Sequence, residues 1–191
     1  MRKANIATAL ILAALLALAF CPRGEAGEAV AAATRIIPTK GIYEGLSNQE
    51  RAEIMDLIYR YSYTVDARDL EGFVSLFTED CRWVANLPKE AVVVESQTKL
   101  RAHVAARLKY FTDNDIQTRH LQTNTILTRV SEDRVHGTTY VTLLCQVKGE
   151  SVPRVISTGI YKDEFVWTED GWRFAVREAT LDQERLPKVE R

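Results

Sequence analysis

Few side chains in this sequence can move a proton near neutral pH. The three histidines His103, His120 and His136 can, because an imidazole with a pKa of ~6.5 both accepts a proton and returns it. Their spacing is not that of metal ligands, and no CxxC pair or Cys/His cluster accompanies them. Cys145 lies in a continuous apolar strand pattern, so Cys81 and Cys145 are expected to be free thiols and not a bridge. GxSxG, GxGxxG and phosphate-loop motifs are missing, which leaves serine-hydrolase, dinucleotide and phosphoryl-transfer chemistries without a basis. What a histidine could do here is general acid–base chemistry, in which a carboxylate bonded to one ring nitrogen fixes the tautomer, unless it is simply a satisfied structural group.

The elements that position such groups must fit within 191 residues, the length of one domain of ~100–200 residues with its flanking segments. Hydrophobic residues make up 46% and charged residues 27%, as in an ordinary globular chain. Lys plus Arg number 25 against 26 Asp plus Glu, so there is no basic field and nucleic acid is not an expected partner. Met1-Arg2-Lys3 followed by the apolar run Ile6 to Phe20 and by Pro22 has the layout of a signal peptide over residues 1–26, cleaved after Ala19 or Ala26. That run is shorter than the ~20 residues a bilayer requires, so no stable membrane span is expected. Bulky Phe20 before Cys21 argues against lipidation. Export to a periplasm or the exterior is the expectation. Residues 27–45 read as a linker or arm, and 46–185 as the folded domain.

Ser47 with Glu50 three residues later forms a capping box. Ile54, Leu57, Ile58, Tyr61 and Val65 then repeat at the spacing of a helix lying on a core. A second helix is expected from Asp69 through Phe77, ended by Thr78-Glu79-Asp80, and a third over Ser96–Phe111. Arg82-Trp83-Val84 and Val92-Val93-Val94 read as short strands. From Arg119 the period becomes two, giving strands near Arg119–Val130, Arg134–Val147, Arg154–Trp167 and Trp172–Asp182. Helices first and adjacent strands afterwards predict an α+β fold. Strands this long twist, and a coiled sheet wrapped over three helices closes a cone with an apolar cavity suited to a small hydrophobic molecule.

Two stretches carry a family likeness: Ile58-Tyr59-Arg60-Tyr61 through Val65-Asp66-Ala67-Arg68-Asp69 to Phe77-Thr78-Glu79-Asp80-Cys81-Arg82-Trp83, and Thr118-Arg119-His120-Leu121-Gln122-Thr123-Asn124. With the hairpins at Val130–Gly137 and Asp170–Phe174, the chain resembles the SnoaL-like family of the nuclear transport factor 2-like superfamily, over residues 46–182. The resemblance implies a cone-shaped α+β barrel, with three helices on a strongly curved, mostly antiparallel sheet. In scytalone dehydratase and hexachlorocyclohexane dehydrochlorinase, an Asp ending the first helix holds a His opening the third strand. Asp66 and His120 stand at those places. In the similar bile acid 7α-dehydratase an active-site Tyr precedes the Asp by five residues, where Tyr61 stands.

The implied activity is a dehydratase-type lyase acting on a steroid- or polyketide-like ring compound. His120, oriented by Asp66, would take a proton next to a carbonyl while Tyr61 donates one. Five residues turn a helix by about 140°, so Asp66 must reach the site from the last helical turn, and Tyr63 is an understudy for Tyr61. Asn124, on the same strand face as His120 by the period of two, is expected to contact substrate, with Trp83, Phe73 and Phe77 as cavity wall or core. Arg173 and Arg177 are expected to face solvent or another subunit. The alternatives are a non-catalytic binder of lipophilic ligands, an interaction module, or an isomerase or cyclase on the same fold. The resemblance implies a dimer or trimer through the outer sheet face, and the apolar outer residues of the long strands fit a homo-oligomer.

Overall fold

The computed structural model describes residues 43–87 and 90–182, and the expected leader and most of the arm lie outside them. The order of elements is β1 (Tyr43–Glu44), α1 (Asn48–Asp66), α2 (Leu70–Val74), β2 (Phe77–Asn86), β3 (Ala91–Glu95), α3 (Gln97–Asp113), β4 (Ile116–Ser131), β5 (Arg134–Val147), β6 (Arg154–Thr168) and β7 (Gly171–Leu181). The fold is α+β, with helices followed by a curved, open sheet ordered β1-β4-β5-β6-β7-β2-β3. β4 to β7 pair antiparallel in sequence order, whereas β2 joins β7 in parallel and β1 joins β4 in parallel. The end of the expected arm is therefore an edge strand of the sheet.

Local chemistry explains the helices. At the start of α1 the Ser47 N–H donates to Glu50 at 2.9 Å while the Glu50 N–H donates to the Ser47 hydroxyl at 3.2 Å, the reciprocal capping box. Ile54, Leu57, Ile58, Tyr61 and Val65 are the buried stripe that holds α1 on the sheet. Asp69 caps α2, which ends at Val74, three residues before the expected end. Phe77 belongs instead to β2, because the start of that strand lies alongside β7: Phe77 pairs with Phe174, whose N–H donates to the Leu76 carbonyl at 2.9 Å. No local pattern encodes a parallel partner almost a hundred residues away. Cys81 and Cys145 are free and buried. Among the described residues no helix is long and apolar enough to cross a membrane.

Five irregularities interrupt the sheet, at Phe77/Arg82 in β2, at Thr123/Ile126 and Arg129/Ser131 in β4, opposite Leu143/Leu144 where β6 has one extra residue, and opposite Glu164/Phe165 where β7 has one. The one-residue bulges in β4 after Thr123 and in β7 after Phe174 turn the residues beyond them to the other face. Asn124, with φ 55°, occupies the bulge of β4. It is exposed, and Thr125 takes the inward place with its hydroxyl 3.1 Å from that of Thr139. The expectation that Asn124 shares the face of His120 is thus corrected: the extra residue breaks the alternation between them. The β7 bulge turns Val176 outward and Arg177 inward, so Arg177 is fully buried and does not face solvent.

Candidate active site

Asp66 is the last residue of α1, where a carboxylate meets the negative end of the helix dipole and is locally disfavoured. Three donors from β4 offset this. The Thr118 hydroxyl and the His120 backbone N–H each donate to the carboxylate at 2.8 Å, and His120 Nδ1 lies 2.7 Å from Oδ1. The helix end and the strand are clasped on either side of the pair. Gln117 donates to the Asp66 carbonyl at 3.0 Å, Gln122 to the Ile58 carbonyl at 2.8 Å, and Arg68 to the Ile116 carbonyl at 2.7 Å. Both side chains are almost out of solvent, at 6% exposure for His120 and 10% for Asp66.

Burial pushes the His120 pKa below its ordinary 6.5, and the Asp66 hydrogen bond and charge offset only part of that. The ring is therefore neutral at pH 7. With a carboxylate at Nδ1, the proton sits on Nδ1 and the lone pair on Nε2 is free to accept. His120 borders a small internal cavity with Tyr61, Phe73, Trp83, Tyr161 and Val141. Tyr61 is 6.3 Å from His120, ring centre to ring centre, and edge-on to it. Trp83 Nε1 donates to the Tyr61 hydroxyl at 3.3 Å, so the phenolic hydrogen is left free to be donated. Tyr61, Asp66, His120 and Trp83 are therefore brought together.

The other expected contacts are placed elsewhere. Phe77 is buried in the core against Phe73 and Phe174 and does not border the cavity. Tyr63 is 77% exposed. It lies on the outer side of the Asp66–His120 pair, in an open groove of about 690 Å³ with Tyr59, Arg119 and Leu121. The rotation between Tyr61 and the following residues of α1 sends Tyr63 away from the cavity.

Sequence reasoning missed two neighbours of Tyr61. Tyr161 stands 5.8 Å away, ring centre to ring centre, and burial, then the nearby Tyr61, hold its pKa well above the usual 10, so it stays a neutral phenol. Beneath both rings lies the Arg177 guanidinium, 4.0 Å from the Tyr61 ring centre and 4.3 Å from those of Tyr161 and Phe174. Asp163 accepts from Arg177 Nε and Nη2 at 2.8 Å each, and Gln122 accepts from Nη2 at 3.1 Å. One signal was available: Asp163 alternates with Tyr161 and Phe165 on the inward face of β6, and a carboxylate there requires a buried cation. Among the described residues no group of three His, Cys, Asp or Glu is disposed to hold a metal ion.

A curved, open sheet wrapped over helices is the cystatin-like α+β fold, shared by solved structures from Nostoc punctiforme and Novosphingobium aromaticivorans. The family model described as a SnoaL-like domain matches residues 47–178, and the chain belongs to that family. Solved structures with the same fold include a protein of unknown function from Mycobacterium tuberculosis, 24% identical over 71% of this chain and 73% of its own, with a TM-score of 0.60. ActVI-ORFA from Streptomyces coelicolor is 23% identical over 69% of this chain and 96% of its own, with a TM-score of 0.61. A candidate scytalone dehydratase from Novosphingobium aromaticivorans is 21% identical over 74% and 95%, with a TM-score of 0.58. No curated protein matches the sequence.

Proposed function

We propose that the protein is a cofactor-free lyase of dehydratase type, acting on a small hydrophobic ring compound. The observation that carries this reading is the 2.7 Å contact between Asp66 Oδ1 and the Nδ1 of a buried, neutral His120 at the cavity wall. His120 Nε2 removes a proton next to a substrate carbonyl, and the resulting imidazolium is stabilised by Asp66. Tyr61 donates its hydroxyl proton to the departing hydroxyl, which leaves as water when the alkene forms. Proton transfer of this kind contributes ~10²–10⁴-fold to rate. The likeness to a candidate scytalone dehydratase supports the fold on which such chemistry is placed.

The cavity is about 50 Å³, room for a few waters at ~10–15 Å³ each, against the ~300 Å³ or more of a ligand pocket. A ring compound therefore enters only when lining side chains swing aside.

The same proposal places the mature protein outside the cytoplasm, on the strength of the leader-like residues 1–26, and makes it a homo-oligomer. Support for assembly comes from the outer sheet face, where Tyr140 is 51% and Leu121 48% exposed. The test of the chemistry is turnover of hydroxylated ketosteroids and related phenolic ketones by wild type and by a folded His120→Ala variant. Loss of product in the variant is expected, and undiminished turnover refutes the reading.

A further inference from the structure

His103 and Arg107 stand one turn apart on α3 and both line the cavity shared by Tyr61, His120 and Tyr161. Their situations differ. His103 lies against Trp83, ring centres 5.2 Å apart, and burial, followed by the charge of Arg107, holds its pKa below 6.5. It is neutral at pH 7. Arg107 carries a permanent charge and makes no ion pair or hydrogen bond among the described residues; its guanidinium rests only near the Phe111 ring, at 5.4 Å. Its Nε is shielded from solvent and has no acceptor. A guanidinium presents five donors in a rigid fork, and a shielded donor without an acceptor is a place where a ligand oxygen gains more than water offers.

The charge of Arg107 also reaches across the cavity, where it opposes protonation of His120 and favours ionisation of Tyr161. The other buried guanidinium near the site, Arg177, is already held by Asp163 and Gln122. The cavity wall thus has one positive charge without a counter-ion, set among aromatic rings.

We propose that Arg107 is the anion-binding residue of the cavity and that the ligand is a planar ring compound bearing a carboxylate. This builds on the proposed function and names the substrate class of the same site. The single charge selects a carboxylate over a phosphate dianion, since no second cation lines the cavity among the described residues. A carboxylate matches the fork with two parallel hydrogen bonds. The ring lies against Tyr61, Phe73 and Trp83, and the anchored end fixes which carbon is presented to His120.

The test uses benzoate and its neutral isostere benzamide as probes, titrated into the mature protein at pH 7.5 and followed by the indole signal of Trp83. Benzoate is expected to bind at least ~10-fold more tightly than benzamide, a difference of ~1.4 kcal/mol. Arg107→Met should erase that preference, and Arg107→Lys should keep part of it. His120→Ala should retain the preference, since the anion is read from α3. Equal binding of the two probes, binding of neither by wild type, survival of the preference in Arg107→Met, or its loss in His120→Ala overturns the proposal. Failure of the acid–base reading shows only in turnover and leaves the charge preference in place.

Discussion

Replacing Asp163 by Asn removes the counter-charge of a guanidinium that has no route to water, since both side chains are 0% exposed. The lost interaction is a two-pronged one at 2.8 Å on each arm. Burial pushes the Asp163 carboxyl upward and Arg177 offsets only part of that, so the pair is a stressed one whose halves depend on each other. Breaking such a pair from one side costs ~3–5 kcal/mol, because a desolvated charge is left without its partner. In this case the three rings that sandwich Arg177 retain some attraction for it, at ~0.5–2 kcal/mol each, which places the expected loss near the lower bound, ~3 kcal/mol. For a domain of this size that is a fall in melting temperature of roughly 10 °C. Thermal and urea unfolding followed by circular dichroism measure it. The double variant Asp163→Leu with Arg177→Met, which removes both charges, should recover at least half of the loss. An Asp163→Asn variant within ~1 kcal/mol of wild type would show that water reaches Arg177 and would refute the buried-pair account.

Acid should weaken the fold in a defined window. Burial lowers the pKa of His120, and of His103, below 6.5, so the unfolded chain takes up protons that the folded chain refuses. Stability is complete above ~6.5 and declines as pH falls through that value toward the lowered folded pKa, with up to ~1.4 kcal/mol per pH unit for each proton. Urea midpoints between pH 7.5 and 5 read this slope; His120→Gln should flatten it, and an unchanged slope would contradict the assignment. In β6 a Cβ added at Gly159 would come within 2.2 Å of the Thr180 backbone carbonyl oxygen, so Gly159→Ala should cost ~1–3 kcal/mol by calorimetry, and a neutral effect would mean the β6–β7 contact is looser than described. At micromolar concentration light scattering should report a dimer or trimer, with Tyr140→Glu shifting it toward monomer; a wild-type monomer would contradict assembly through the outer face.

How much of this was legible before the structure depended on whether a residue's partner lay nearby in sequence. The Ser47–Glu50 box and the Ile54–Val65 stripe are local, and α1 falls where they place it. The four long strands follow from their own alternation. What alternation cannot foretell is where it stops: the bulge in β4 sends Asn124 to solvent, and the one in β7 buries Arg177 beneath Tyr61. Phe77 was drawn into a helix pattern because its strand partner Phe174 is distant. The Asp66–His120 contact came from family likeness, since neither residue type nor spacing joins a helix end to a strand 54 residues later.

The most direct measurement of the central claim is the ¹⁵N spectrum of the His120 ring in the folded protein across pH 5 to 8. The account predicts a neutral ring at pH 7 with its proton on Nδ1, an unprotonated Nε2 that titrates below 6.5, and loss of this single tautomer in Asp66→Asn. A proton on Nε2, or a cationic ring at pH 7, would contradict it.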